Sequence, residues 1–271
     1  MQMKKNTPDK ATDALSSARH TGQGLTQEIE QTAATIMLAE EIIKKQLQKC
    51  ETKSSEIDES LTVLEQSALK LSRTAENLDE LFRFQSGQYQ LEKYLVDLAA
   101  QYQSALSLCG KITDRAKISF ENCLPAGELV LADARIADKI LLNLVSNALR
   151  TADNIAVKLF LEDQNISVWV EDDGAGIDAA LQGHLYEPFE TDYIENQLGG
   201  GIGLGLYLVK EYCSLLNWKI SADSSSAGTT FKLEIPRVQQ SGQDLYSRPE
   251  DLAFEAEQQG RVALEMSSLK K

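Results

Sequence analysis

The sequence predicts an α+β protein in which a helical hairpin is followed by an α/β sandwich with a mixed sheet. Two observations support this class. Apolar residues recur at heptad spacing over residues 25–82, which is typical of paired amphipathic helices. Beyond residue 88, amphipathic helices and short strands follow one another without strict strand–helix alternation, which favours α+β over a doubly wound sheet.

The composition excludes several classes of partner. The chain has 271 residues, a net charge of −14 and a pI of about 4.7, so we expect no nucleic-acid partner and no binding to anionic membranes. We recognise no signal peptide and no apolar run long enough for a membrane span, and we therefore expect a cytoplasmic protein. The four cysteines lie far apart without a CxxC pair, which favours reduced thiols.

We predict that residues 1–24 form a flexible N-terminal segment and that residues 25–87 form the hairpin. The first heptad row is imperfect and contains Leu25, Ile29, Thr32, Ile36, Ala39, Ile43, Gln46 and Cys50. The second row has no polar member and contains Ile57, Leu61, Leu64, Ala68, Leu71, Ala75, Leu78 and Phe82. A lone hairpin leaves part of each stripe in water, so we expect a homodimer that forms a four-helix bundle. A simple coiled-coil spacer is the alternative.

Residues 88–237 predict the second domain, and residues 238–271 predict a polar tail. An amphipathic helix is expected over 136–151, a hairpin of strands over 157–170, and a glycine-started helix over 202–216. After Pro236 large apolar residues become scarce, which is typical of a loosely ordered segment, with a weak helix from Pro249 onward.

Three boxes in this domain indicate a binding pocket. In the first, Asn143 and Asn147 lie four residues apart on a helix, so their amides point the same way. Amide oxygens are suitable ligands for Mg²⁺, and Arg150 on the same side could hold a phosphate by a forked contact. Two asparagines on a solvated helix face would be the simpler explanation.

The second box follows a predicted strand and contains Asp172, Gly174 and Gly176. A carboxylate at a strand end is well placed to accept a hydrogen bond from an exocyclic amine, and the glycines permit a tight turn. A plain Asp-Gly turn is the commoner alternative.

The third box contains Gly201, Gly203, Gly205 and Leu206 at the start of a helix. Bare backbone N–H groups at a helix N-terminus attract phosphates. The spacing is not GxGxxG and lacks a P-loop ending, which argues against a dinucleotide site. A flexible linker is the alternative.

Together, these boxes resemble the ATP-binding domain shared by sensor histidine kinases, DNA gyrase, Hsp90 and MutL, with histidine kinases the most similar. Residues 143–147 are similar to their N box, and residues 172–176 and 201–206 to their two glycine boxes. Tyr186–Phe189 is similar to the F box, and Gly228–Phe231 to the final box.

The resemblance implies roles for these residues and implies ATP and Mg²⁺ as cofactors. Asn147 would bind Mg²⁺, Asp172 would bind the adenine amine, and Thr229 or Thr230 would support that contact through water. Phe189 would belong to the nucleotide pocket as the aromatic residue of the F box.

Asn143 in the first box and Thr151 shortly after it refine this expectation. Where the gyrase and Hsp90 branches have a glutamate that activates water, this chain has Asn143. An amide cannot take up a proton at neutral pH, which disfavours ATP hydrolysis as the main activity. Thr151 stands where many histidine kinases have an aromatic residue, so ATP binding could be weaker.

The phosphoacceptor histidine of the family is missing at its expected place. Counting back sixty residues from Gly87 leads to Gln27, and the following Glu28 matches the acidic residue that orients the ring. The amide of Gln27 cannot accept a phosphoryl group, because its nitrogen lone pair is delocalised.

His20 is the available substitute for Gln27. It lies seven residues earlier, at the same heptad position and about 10 Å along the helix. Gly22 and Gly24 weaken a helix there, and Thr21 stands where an acid is expected.

These observations predict a histidine-kinase-like protein of two-component signal transduction that binds Mg-ATP. It would be a pseudokinase, or a kinase acting in trans, whose partner is a response regulator or another kinase. The alternatives are an autokinase that uses His20, a non-catalytic scaffold that senses nucleotide, and a gyrase-type ATPase, which Asn143 disfavours.

Overall fold

The structure, a computed structural model, describes residues 29, 33–41, 43–45, 55–87, 89–113, 116–179, 181–189, 203–238 and 252–266. The chain divides into two compact units, Met1–Tyr89 and Gln90–Lys271. Among the helices in these ranges, none combines the length and the apolar character that crossing a membrane requires.

The first unit is helical. Residues 33–41 and 43–45 are helical, and the long helix α1 spans Ser55–Ser86. Lys44 Nζ donates to Glu65 Oε2 at 3.3 Å across the two segments. Helix α1 ends where Gly87 adopts a φ of +65°, a left-handed conformation that favours glycine.

The heptad rows are only partly buried in this unit. In the second row, Leu61, Ala68 and Ala75, spaced seven apart, are buried, whereas Phe82 is half-buried. Five large apolar side chains of the two segments stay exposed: Leu38, Ile43, Ile57, Val63 and Leu64. An apolar stripe that one chain leaves in water is free to pack against another apolar surface.

The second unit contains the remaining elements. In chain order they are β1 (Tyr94–Val96), α2 (Leu98–Ile112), β2 (Lys117–Asn122), β3 (Val130–Ala132), α3 (Ala134–Ala148), β4 (Asn154–Glu162), β5 (Asn165–Asp172), α4 (Gly205–Leu216), β6 (Lys219–Ser225), β7 (Gly228–Pro236) and α5 (Leu252–Glu265). Helix α2 begins at Asp97, whose side chain accepts from Ala100 N, and α3 begins at Asp133, whose side chain accepts from Arg135 N. Both are N-caps of the preferred residue type.

Five strands form a mixed sheet in the order β2-β4-β5-β7-β6, in which β2 and β4 are parallel and the other pairs antiparallel. Strands β1 and β3 form a small antiparallel pair. Helices α2, α3 and α4 contact strands of the five-stranded sheet. The predicted α/β sandwich with a mixed sheet is confirmed.

The core lies between the sheet and the helices because strand residues alternate in burial. Alternate residues of β4 from Ile155 to Leu159, and every second residue of β7, are buried, as the period of two requires. Four residues on two successive turns of α3 are fully buried against this face: Ile140, Leu141, Leu144 and Val145. Helix α3 is therefore held rigidly in the centre of the unit, which fixes the position of the asparagines it carries.

Helix α5 packs on α2 and α3 through a buried polar network. Asp138, with no exposed surface, accepts from Gln101 Nε2 at 2.7 Å, from Gln258 Nε2 at 3.1 Å and from Arg261 Nη2 at 2.9 Å. Burial raises the pKa of Asp138, and the hydrogen bonds and the charge of Arg261 oppose that rise. The helix lies within the segment 238–271 that the sequence predicted as a polar tail.

Replacing Arg261 by alanine is expected to lower the free energy of unfolding by about 2 kcal/mol at neutral pH. Removing one partner of a buried pair leaves an uncompensated charge, but Gln101 and Gln258 still bind Asp138. Burial raises the pKa of folded Asp138 above that of the unfolded chain. The folded state therefore binds the proton more tightly, and the free energy of unfolding falls as pH rises from the unfolded pKa through the folded pKa. Urea unfolding should therefore show a smaller loss at pH 5 than at pH 8.

The double variant Asp138→Asn with Arg261→Ala is the matched control. A neutral amide at position 138 needs no cation, so the double variant should recover part of the lost stability. If it is less stable than the Arg261→Ala variant, the buried charge is not the cause of the loss.

Candidate functional site

The residues of the three sequence boxes that the structure describes lie around the C-terminal half of α3. The third box adjoins Asn143, because a Cβ built on Gly205 would lie 2.9 Å from Asn143 Oδ1. The second box adjoins the end of the helix, because a Cβ built on Gly174 would lie 2.5 Å from Thr151 Oγ1. Segments far apart in sequence are therefore in contact at one place.

Asn143 is 2% exposed and has a defined amide orientation. Its Nδ2 donates to the carbonyl of Lys139 at 2.9 Å and to Glu265 Oε1 at 3.5 Å. Its Oδ1 is buried and accepts no hydrogen bond from the residues that the structure describes. A buried acceptor without a donor is costly, so this oxygen is a position where a ligand would be stabilising.

Asn147 and Arg150 lie one turn and two turns beyond Asn143. Asn147 is half-buried, and its carbonyl accepts from Arg150 N at 3.2 Å. Arg150 follows the end of α3 and is only 6% exposed. Both residues therefore lie at the C-terminal end of α3, which Gly174 of the second box also approaches.

Asp172 is the last residue of β5 and is half-buried. Its Oδ1 accepts from Gly174 N at 2.9 Å and from Thr229 N at 3.3 Å. Burial raises the pKa of Asp172, and these two backbone hydrogen bonds oppose that rise. The carboxylate is held on one oxygen, so the other can accept from an incoming N–H group.

Strand register separates the two threonines of the last box. Thr229 pairs with Asp172 across the β5–β7 ladder, whereas Thr230 pairs with Glu171. Successive residues of a strand face opposite sides, so Thr229 lies on the side of Asp172 and Thr230 on the other face. Thr229 is also buried, with its Oγ1 2.9 Å from Ser224 Oγ.

Two glycines keep the backbone around Asp172 closely packed. A Cβ on Gly176, at φ +75°, would lie 1.9 Å from the carbonyl oxygen of Ser225. A Cβ on Gly228, at φ +133°, would lie 1.9 Å from the carbonyl oxygen of Asp172. Both positions therefore need glycine for space and for conformation.

The start of α4 closes the site on the side of Asn143. Gly203 has a φ of +74°, and its carbonyl accepts from Phe189 N at 2.9 Å. Phe189 itself has a φ of +68° and is 58% exposed. Helix α4 begins at Gly205, with Leu206 half-buried in its first turn, so its N-terminal N–H groups lie beside the buried oxygen of Asn143.

Four of the predicted residues, His20, Gln27, Glu28 and Gly201, lie outside the residues that the structure describes. Their assigned roles stay predictions.

The structure adds residues that the sequence did not single out. Ser224 Oγ accepts from Ile177 N at 2.8 Å and so supports the loop after Gly176. Asp173 accepts from Asp153 N at 2.9 Å and from Asn154 N at 2.8 Å, and the hydrogen bonds of Asn154 lower its pKa. The sequence signal for the role of Asp173 was the pair of adjacent aspartates at 172–173, because two adjacent carboxylates after a strand point to opposite sides.

The donor set fits a hard divalent cation. Asn143 Oδ1 is an unpaired buried oxygen, and the amide of Asn147 lies one helical turn further along α3. Mg²⁺ prefers oxygen ligands and takes only one or two from the protein when phosphates supply the rest. The residues present are therefore compatible with Mg²⁺ bound together with a phosphorylated ligand.

Comparison with known proteins identifies this domain. Residues 132–239 match the model of the family described as Histidine kinase-, DNA gyrase B-, and HSP90-like ATPase. The chain is 31% identical over 167 residues to the sensor histidine kinase MtrB of Mycolicibacterium paratuberculosis, covering 60% of this chain and 30% of that protein. It is 31% identical over 162 residues to the histidine protein kinase DivJ of Caulobacter vibrioides, covering 58% and 27%. The chain thus spans less than a third of either relative.

Solved structures share the fold. Full-length ShkA, solved in complex with AMPPNP, aligns with a TM-score of 0.64 at 18% identity, covering 85% of this chain and 47% of that one. The histidine kinase AdeS of Acinetobacter baumannii aligns with a TM-score of 0.54 at 23% identity, covering 77% and 97%. Residues 132–239 therefore belong to the histidine kinase-, DNA gyrase B- and HSP90-like ATPase family, and the chain is similar to sensor histidine kinases.

Proposed function

We propose that this chain is a histidine-kinase-like protein of two-component signal transduction, which binds Mg-ATP and has Gln27 at the usual phosphoacceptor position. One observation carries the proposal: the carboxylate of Asp172, the amide of Asn143 and the N-terminus of α4 are brought to one site around α3. A nucleoside triphosphate requires these groups: a carboxylate for an amine, an amide for a cation and helix N–H groups for phosphates.

Asp172 binds the adenine in this proposal. Gly174 N and Thr229 N hold one carboxylate oxygen, so the other is oriented to accept from the exocyclic amine. The hydroxyl of Thr229 lies on the same side and supports the contact through water. AMPPNP, an ATP analogue, is bound in the ShkA complex of the same fold, which is consistent with a purine triphosphate here.

The phosphates are bound at the other end of the site. Asn147 and Asn143 would supply amide oxygens to Mg²⁺, and the first N–H groups of α4 would face the negative charge. A cation held there would offset part of the negative charge of the triphosphate. The half-buried and buried positions of the two asparagines keep bulk water from competing for these contacts.

The partners follow from the helical unit. The exposed apolar side chains of this unit, with Leu38 and Val63 each 60% exposed, support a homodimer through the hairpin. We propose that a response regulator or a partner kinase receives or supplies the phosphoryl group, since Gln27 cannot carry it. The cytoplasmic location stays a prediction.

Incubation with radiolabelled ATP and Mg²⁺ tests the proposal. The wild-type protein should bind ATP and be stabilised against heat, yet acquire no acid-labile label, because an amide is not a phosphoacceptor. The Gln27→His variant should acquire such a label, since it restores an imidazole next to Glu28.

The control variants separate the alternatives. A wild-type label that is lost in His20→Ala would identify His20 as the acceptor and contradict the pseudokinase proposal. Steady phosphate release would favour an ATPase. No binding of ATP at millimolar concentration would contradict the proposed function altogether.

A further inference from the structure

Helix α5 (Leu252–Glu265) lies outside the family match at 132–239, yet it contacts the helix that carries the nucleotide-site asparagines. Val262 and the adjoining Met266 have no exposed surface. Gln258 and Arg261 bind the buried Asp138 of α3. This apolar and polar packing fixes the position and the rotation of α5 along α3.

The C-terminal end of α5 reaches Asn143. Glu265 lies one turn beyond Arg261 on the same helix face, and its Oε1 accepts from Asn143 Nδ2 at 3.5 Å. The carbonyl of Lys139 accepts from the same nitrogen at 2.9 Å. Both hydrogens of the amide nitrogen therefore have acceptors.

This contact determines which way the amide points. A side-chain amide can turn over and exchange its oxygen with its nitrogen. An ionised carboxylate only accepts hydrogen bonds, and so does a backbone carbonyl. With Glu265 and Lys139 O on one side, the nitrogen must face them, and Oδ1 must face Gly205 at the N-terminus of α4.

We propose that Glu265 is a positioning residue of the nucleotide site, which orients Asn143 Oδ1 toward the Mg²⁺ and phosphates. The inference rests on the proposed function, because it assigns a role at that same site. The buried Oδ1 has no donor among the described residues, which is the arrangement expected of an oxygen reserved for a cation. The nucleotide site of this chain therefore extends beyond its family domain to the C-terminal helix.

Binding assays on the full chain test this role. The variants are Glu265→Ala, Glu265→Gln and the matched control Gln259→Ala, which changes an exposed residue of the same helix. Calorimetric titration gives the affinity for ATP at saturating Mg²⁺, and a second titration gives the affinity for ATP in EDTA. The ratio of the two measures how tightly the protein–ATP complex holds Mg²⁺, and this is the Mg²⁺ affinity that the variants compare. Removing a residue that orients a metal ligand lowers metal affinity about 10–100-fold.

We expect Glu265→Ala to lose about tenfold or more in Mg²⁺ affinity while ATP affinity in EDTA stays unchanged. Glu265→Gln should lose less, because its amide oxygen can still accept from Asn143, and Gln259→Ala should match the wild type. If the alanine variant does not fold by circular dichroism, the glutamine variant decides, with a several-fold loss expected.

Three outcomes would overturn the inference. The first is an unchanged Mg²⁺ affinity in a folded Glu265→Ala variant, or in the glutamine variant where alanine does not fold. The second is tighter binding, which would mean that the carboxylate repels the phosphates. The third is an equal loss in EDTA, which would indicate a structural role. In contrast, a wild-type protein that binds no ATP contradicts the proposed function itself.

Discussion

Replacing Asp172 by asparagine is expected to weaken ATP binding about 10–100-fold and to remove most of the thermal stabilisation that ATP provides. Hydrogen bonds to a charged group contribute about 1.5–3 kcal/mol, and this carboxylate is the acceptor that we assign to the adenine amine. An asparagine amide can still accept from Gly174 N and Thr229 N, which bind one carboxylate oxygen in the wild type. Its second group, however, is a donor that opposes the amine of adenine. Thermal shift and calorimetric titration with ATP and with GTP measure the effect.

Glu171→Ala is the control for this variant. Glu171 is the preceding carboxylate on β5, and it forms a salt bridge with Lys158 at 2.6 Å on the opposite face of the sheet. Because that face does not carry Asp172, ATP binding should be unchanged. An Asp172→Asn variant that binds ATP as tightly as the wild type would remove Asp172 from the site.

Replacing Gly228 by alanine is expected to lower the free energy of unfolding by more than about 3 kcal/mol, which places it among the severe substitutions. The new Cβ would lie 1.9 Å from the carbonyl oxygen of Asp172. Since that atom belongs to the backbone of β5, no side-chain rotation can relieve the clash. The φ of +133° adds a conformational cost. Urea unfolding followed by the fluorescence of Trp169 and Trp218, both in the second unit, measures the loss.

Variants at two other glycines separate the steric cause of the lost stability from the cost of the positive φ. Gly127 has a φ of +80° but no atom within 4 Å of an added Cβ, so Gly127→Ala should cost only about 1–2 kcal/mol from the conformation. Gly183 has neither a positive φ nor a neighbour, so Gly183→Ala should be close to neutral. Equal losses in all three variants would contradict a steric cause at Gly228.

Much of the sandwich could be predicted because its signals are local. Alternation over 157–161 and 166–170 predicted two strands, which the structure extends to Asn154–Glu162 and Asn165–Asp172. The mixed sheet was expected from the order of elements, but the parallel pairing of β2 with β4 is a contact between segments more than thirty residues apart. Periodicity reports which face of an element is apolar, and it contains no information on which partner covers that face.

The candidate site divides in the same way. The chemical types of Asn143, Asp172 and the glycines could be read from the three boxes, because a short motif fixes residue types at a set spacing along one helix, strand or loop. Thr229 and Thr230 were equivalent in sequence, and the register of β7 against β5 separates them. The domain ranges and the assignments of Gln27, Glu28 and His20 stay predictions.

By itself, the sequence determined the kinds of group available to a nucleotide and the local elements that carry them, because propensity, capping and periodicity act over a few residues. Only the tertiary structure decided that Glu265 of the C-terminal helix reaches Asn143, at a sequence separation of 122. It also decided that Gly228 supports Asp172 from a different strand. Such contacts arise when the core is packed, since burial of apolar faces brings together residues whose own neighbours give no sign of the encounter.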